Sequence, residues 1–353
     1  MAAKFIPNER IVPWLRELQD RFKVLVPARE GGSIVYRVFD GESEPALDRP
    51  SNMPPKEAVF PQTEVLLRYK YDRERDENGS RAVHVEETLP DEACLVFGTS
   101  PCGARGFQAF DPVYKGKTVD DPYFINRRER AVFVSVTCLH PTTTCFCHWV
   151  GSGPSDSDGS DVLLTPVEGG YVAEAVTEKG KALLESAKAD DGAKLEAEAE
   201  QVKAKARESL GEAEDLKGAQ EKVLASFGNM EFWEKEASRC ISCGACTFFC
   251  PTCYCFNITD ETSGLAGERI RTWDSCMFPL FTREASGHNP RPTKAHRLRN
   301  RVQHKFAYYP SIHGGRFSCT GCGRCIRQCP SGVDIRRIVQ NAMKLAPEAG
   351  GDK

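Results

Sequence analysis

Hydrophobic positions over residues 1–165 fall into short runs separated by Pro- and Gly-rich stretches. Ile11 to Phe22 places apolar residues on one helical face and predicts an amphipathic helix. Ser33–Phe39, Glu64–Tyr69, Ala93–Phe97 and Ala131–Thr137 are rich in β-formers and predict strands. Gly151 to Gly159 is a polar Gly/Ser/Asp segment and predicts a loop. Together these runs read as an α/β domain.

The pattern changes over residues 166–227. Ala, Glu and Lys dominate, with Leu183, Leu184, Leu195, Val202, Leu210, Leu216, Val223 and Leu224 spread among them. That is strong helix-former composition. It predicts a charged connector of two or three helices, either leaning on the rest of the protein or serving as a partner-facing arm. Residues 228–353 are set apart by cysteine, and the 251–318 stretch within them reads as helix and loop.

Composition excludes some classes. A net charge of −3 over 353 residues makes no global case for nucleic acid or membrane. No apolar run approaches the roughly 20 residues of a spanning helix, and the first ten residues lack an apolar signal core. The expectation is a cytoplasmic protein. Its sixteen cysteines fall in metal-ligand spacing rather than a disulfide framework.

Cys240-x2-Cys243-x2-Cys246-x3-Cys250-Pro251 recurs as Cys319-x2-Cys322-x2-Cys325-x3-Cys329-Pro330. This is the ligand run of a two-cluster [4Fe–4S] ferredoxin, in which the fourth cysteine ligates the other cluster. The spacing assigns Cys240, Cys243, Cys246 and Cys329 to cluster 1, and Cys319, Cys322, Cys325 and Cys250 to cluster 2. A zinc reading leaves the third cysteine and the Cys-Pro pairs unexplained. The wide separation of the runs favours an α-helical ferredoxin domain. The fold class is then α+β: an N-terminal α/β domain, a charged helical connector and a C-terminal dicluster domain.

Cys102, Cys138, Cys145 and Cys147 lie at the ends of two expected strands. A third cluster, a zinc ion and unliganded thiols are all open readings of them. Cys94 reads as core. Lining the cluster pocket, supplying an alternative ligand and helping to hold a further centre are open readings of Cys253, Cys255 and Cys276; tuning a cluster through packing and hydrogen bonds is the favoured one. Cys246-x3-Cys250-x2-Cys253 has the spacing of a radical SAM site, but its first two cysteines are claimed by the ferredoxin run.

Arg283 to Lys305 holds seven Lys or Arg against the single acid Glu284. Nucleic-acid contact and docking are readings of it. Compensation of anionic clusters is the favoured one. No G-x-G-x-x-G, P-loop, HExxH or G-x-S-x-G motif appears. The chain thus carries electron relays without visible substrate chemistry, and no flavin is expected in it.

The segment Phe232 to Phe256 resembles the iron–sulfur subunits of multi-subunit reductases. The family is that of the sulfhydrogenase beta subunit and the iron–sulfur protein of anaerobic sulfite reductase. Similar proteins accompany heterodisulfide reductase-linked flavin oxidoreductases. Thr272–Cys276, Arg301–Lys305 and His313–Cys325 also resemble it. Thr99–Gly103, Asp111, Asp121–Glu129 and the Cys138/Cys145/Cys147 loop match more loosely. The resemblance implies a non-catalytic electron-transfer subunit. Its partners would be an FAD/NAD(P)H-binding oxidoreductase subunit together with a terminal reductase, hydrogenase or heterodisulfide reductase subunit. The rival readings are a stand-alone ferredoxin-type carrier and a nucleic-acid enzyme with clusters.

Overall fold

The computed structural model describes residues 3–116 and 119–345. Two sheets organise it. The strands are β1 (Lys4–Pro7), β2 (Lys23–Glu30), β3 (Ser33–Val38), β4 (Thr63–Tyr71), β5 (Val83–Glu87), β6 (Cys94–Thr99), β7 (Ala131–Val136), β8 (Val162–Val167), β9 (Gly170–Ala175), β10 (Asp190–Asp191), β11 (Phe256–Ser263) and β12 (Ala266–Trp273). The larger sheet runs β10-β1-β9-β8-β7-β6-β2-β3. Its middle, β2, β6, β7 and β8, is parallel.

Side chains alternate across a strand, so each apolar run serves two cores. Leu95, Phe97, Val132, Val134 and Val136 face one core with Trp14, Leu15 and Leu18 of the helix Asn8–Leu18. Val96, Ala131 and Phe133 face the other, with Phe60, Phe107, Phe110 and Phe124. Burial on both faces is why these strands read as continuous apolar runs. Parallel pairing of β6 with β7 also puts their carboxyl ends side by side. Cys102 and Cys138 follow those two ends.

The expected strands and the first helix are present, with bounds shifted by a few residues. The sheet does not stop at residue 165. β9 and β10 continue it through the segment read as a helical connector. Within that segment Leu183 and Leu184 join the first core. Ala219 and Val223 join the core of the cysteine-rich part.

The second sheet corrects the reading of residues 251–318 as helix and loop. Its order is β11-β12-β4-β5, so a hairpin from between the cysteine runs pairs through β12 with N-terminal β4, which in turn pairs with β5. The joint is a buried ion cluster. Arg271 pairs with Glu64 and, at 2.5 Å, with Asp121, and Arg127 also pairs with Glu64. Glu64 is almost wholly buried, so losing either arginine would leave its charge with a single cationic partner, and losing both would strand it.

Candidate metal centres

Each ligand run folds the same way. Ser242 and Gly321, two residues after the first cysteine, have φ of 58° and 63°. That left-handed turn aims the Ser242 and Gly321 N–H groups at the Cys240 and Cys319 sulfurs, at 3.4 and 3.5 Å. A glycine at a second left-handed position, Gly244 or Gly323, then opens a one-turn helix carrying Cys246 or Cys325. After each Cys-Pro pair a hydroxyl returns to the sulfur: Thr252 to Cys250 at 3.2 Å, and Ser331 to Cys329 at 3.6 Å.

The two runs then cross. One cavity is lined by Cys240, Cys243, Cys246 and Cys329 together with Arg301 and apolar side chains. The neighbouring cavity is lined by Cys250, Cys319, Cys322 and Cys325 with Arg301 and Lys305. Cys325 also borders the first cavity, so the two share a wall. Four sulfurs around an enclosed space suit a group with four metal corners, and the donor set is all thiol. The residues present therefore fit a [4Fe–4S] group in each cavity. Cys243 is exposed, whereas Cys250 is buried, so the first cavity opens toward the surface.

Buried cations surround these cavities. Arg301 is 4% exposed. It donates to the Cys246 carbonyl at 2.7 Å and to the Cys253 sulfur at 3.3 Å. Lys305 donates to Thr252 Oγ1 at 2.7 Å and to the Ser318 carbonyl at 2.8 Å. A π-helical turn over His304–Tyr308 carries Lys305 inward. Burial opposes the charge of Arg301 and Lys305, yet nearby sulfurs outweigh it and push both pKa values up. The basic stretch thus sends Arg297, Arg301 and Lys305 inside, which removes them from any nucleic-acid face.

Sequence reasoning missed two further cations. Lys56 is buried and donates to the Cys253 and Thr247 carbonyls at 3.2 and 3.3 Å, with its ammonium 3.9 Å from the centre of the Trp273 ring. Burial pushes its pKa down to about 8. Arg324 is 1% exposed and bonds the Ser51 carbonyl at 3.0 Å. Its other nitrogens reach Ser100 Oγ at 3.4 Å and the Cys102 sulfur at 4.0 Å. The basic residues inside the second ligand run were the available signal for Arg324.

Cys102, Cys138, Cys145 and Cys147 lie near enough to act on one another's thiols, yet among the described residues no three ligating side chains converge as a single metal ion such as zinc requires. Burial pushes Cys138 up to about 12, and the Cys102 and Cys145 sulfurs add to that. Cys147 is raised by burial and by the other three. This group abuts the second cavity: Phe146 N–H bonds the Gly321 carbonyl at 2.7 Å. A side chain at Gly321 or Gly323 would overlap the backbone of Phe146 or Thr144, so glycine lets the two loops touch. Cys94 lies in the core, as read.

The neighbouring Cys250 and Cys253 thiols act on one another, raising Cys253 and lowering Cys250. Cys255 and Cys276 act on one another in the same way, which lowers Cys255 to about 6 and raises Cys276. Among the described residues no helix is long and apolar enough to cross a membrane.

Comparison with known proteins agrees with this geometry. Residues 239–333 match the 4Fe-4S dicluster domain family. The Sulfhydrogenase 2 subunit beta of Pyrococcus furiosus is 28% identical over 341 residues, covering 94% of this chain and 96% of the relative. No solved structure matches the chain. The dicluster match and the near full-length similarity support an iron–sulfur electron-transfer subunit similar to the sulfhydrogenase beta subunit.

Proposed function

We propose that the chain relays electrons through two [4Fe–4S] clusters held in crossed ligation, by Cys240, Cys243, Cys246 and Cys329 and by Cys319, Cys322, Cys325 and Cys250. The observation that carries this is the pair of adjoining cavities, each lined by three cysteines of one run and the fourth of the other. A bound cluster supplies a one-electron site whose potential follows charge, hydrogen bonding and burial. The chain's residues set those terms. Ser242 and Gly321 N–H groups aim at ligand sulfurs, Arg301 and Lys305 place positive charge beside them, and apolar packing excludes water. The exposed edge at Cys243 and Ile241 is the terminus nearest a partner surface.

The third member of the relay is Cys102, Cys138, Cys145 and Cys147. Its support is the gathering of four thiols at adjacent strand ends, directly against the second cavity. Cys102→Ala is expected to lower iron by about four atoms per chain, the content of one [4Fe–4S] group. Anaerobic iron and sulfide analysis checks it; unchanged iron removes the third centre and leaves the other two.

The relative's name supports complex formation with other subunits. The beta subunit of a sulfhydrogenase is named as part of a multi-subunit enzyme. Here we infer an FAD/NAD(P)H-binding subunit on one side and a terminal reductase, hydrogenase or heterodisulfide reductase on the other, in the cytoplasm. Anaerobic affinity purification from the native cell, with mass spectrometry of the copurifying chains, tests this. Recovery of a flavin protein with a terminal oxidoreductase is the expected result. Recovery of no partner under gentle anoxic conditions would overturn it in favour of a free carrier.

A further inference from the structure

Arg324 sits inside the second ligand run, between Cys322 and Cys325. Cys322, Gly323 and Cys325 line the second cavity, whereas the Arg324 side chain turns to the N-terminal domain. There its Nε donates to the Ser51 carbonyl at 3.0 Å, and one terminal nitrogen reaches Ser51 Oγ and Ser100 Oγ, each at 3.4 Å. The other terminal nitrogen lies 4.0 Å from the Cys102 sulfur. Ser100 Oγ is itself 3.3 Å from that sulfur. Arg324, Ser51 and Ser100 are all buried. Among the described residues the hydrogen bonds of this guanidinium reach no carboxylate.

A buried cation without an anion is strongly disfavoured, so the negative charge that Arg324 faces must come from sulfur. Cys102 stands on one side of it and the Cys322–Cys325 ligand loop on the other. The two sulfur sets also meet elsewhere, where the Cys145 thiol donates to the Cys322 carbonyl at 3.8 Å. Arg327 and Arg336 hold the same loop in place, donating to Thr142 Oγ1 at 3.0 Å and to the Thr143 carbonyl at 2.9 Å. Arg301 has the corresponding position at the other junction, where it lines both the first and the second cavity. One buried arginine thus lies at each boundary between neighbouring sulfur groups.

We propose that Arg324 is the shared counter-charge of the second cluster and of the Cys102, Cys138, Cys145 and Cys147 group, a positioning residue that lets these neighbours be reduced together. The proposal rests on the three-centre relay above. Each centre gains negative charge on reduction, so an electron on one makes the next harder to add to the other. A fixed cation between them stabilises both reduced states, and the doubly reduced state most. Burial keeps salt from screening that charge. Removing it should lower both potentials and leave the first cluster, whose cavity Arg324 does not border, unmoved.

The test uses anaerobic full-length protein with its clusters, analysed for iron and sulfide and titrated under electron paramagnetic resonance. Cys102→Ala and Cys329→Ala identify the third and first signals by their loss. Arg324→Gln keeps a polar group for Ser51 and removes the charge, whereas Arg324→Lys keeps the charge without the planar fork. Arg324→Gln should retain about twelve iron atoms per chain. Its second and third potentials should each fall by roughly a tenfold change in the reduction equilibrium, about 59 mV for one electron, while the first stays. Arg324→Lys should restore both. No shift, a shift at one centre only, or equal shifts in the two variants would overturn the proposal. Iron lost from Arg324→Gln but kept by Arg324→Lys would support it, because charge is what lysine restores. Equal loss from both would make Arg324 a structural anchor and overturn it. Wild-type protein with about eight iron atoms, unchanged by Cys102→Ala, would instead refute the third centre itself, and the shared role with it.

Discussion

Replacing Cys329 with alanine is expected to remove the cluster of the other cysteine run. Cys329 lines the cavity with Cys240, Cys243 and Cys246, and its own neighbours Cys319, Cys322 and Cys325 line the next one with Cys250. The single variant should lose about four iron atoms, one cubane's worth. The crossing is read from pairs. Cys243→Ala with Cys329→Ala should lose no more than either alone, because both changes damage one site. Cys322→Ala with Cys329→Ala should lose about eight, because the changes damage two sites and act independently. Ligation within each run predicts the reverse pattern. Anaerobic iron and sulfide analysis of the soluble protein decides between them. Metal binding and folding are linked, so the double variant at two sites should also be the least stable.

The ligand repeat was legible in the sequence because its geometry is local. Fixed spacing, a left-handed position and a following proline lie within about a dozen residues of one another. The strands β3, β4, β6 and β7 were legible by the same token, since strand residues and turn punctuation mark them directly. β2 was not. Pro27 argues against a strand, yet β6 pairs only with Lys23 to Leu25, so the missing N–H falls beyond that ladder. β11 escaped because every residue in it is exposed and no apolar face announces it. Lys56 and Arg324 escaped for a different reason. The Lys56 ammonium bonds Thr247, 191 residues away, and Arg324 bonds Ser51, 273 residues away. No window on the chain contains both partners. The gathering of Cys102, Cys138, Cys145 and Cys147 lies between these cases. Two apolar runs gave the strands, but only their parallel pairing brings the following cysteines to one edge.

Arg301→Met should lower the reduction potential of both clusters, and Lys305→Met mainly that of the second. Arg301 lines both cavities, whereas Lys305 lines only the one formed by Cys250, Cys319, Cys322 and Cys325. Reduction adds negative charge to a group that already carries thiolate charge. A fixed cation therefore favours the reduced form, and its removal drives the potential down. At an effective dielectric of about 20, a unit charge roughly 7 Å away contributes roughly 2 kcal/mol. For a one-electron couple that is about 100 mV, since about 59 mV corresponds to a tenfold change. Methionine keeps much of the bulk of either side chain, so packing around the cavities should largely survive. Both cations are almost fully buried, so added salt should screen them little and the shifts should persist at high ionic strength. Redox titration followed by electron paramagnetic resonance measures each cluster separately. Equal shifts in the two variants would remove the distinction between the cavities, and no shift in either would mean that other charges fix the potentials. The unequal result would assign each signal to a cavity, and with it the order of the two clusters from the exposed Cys243 edge inward.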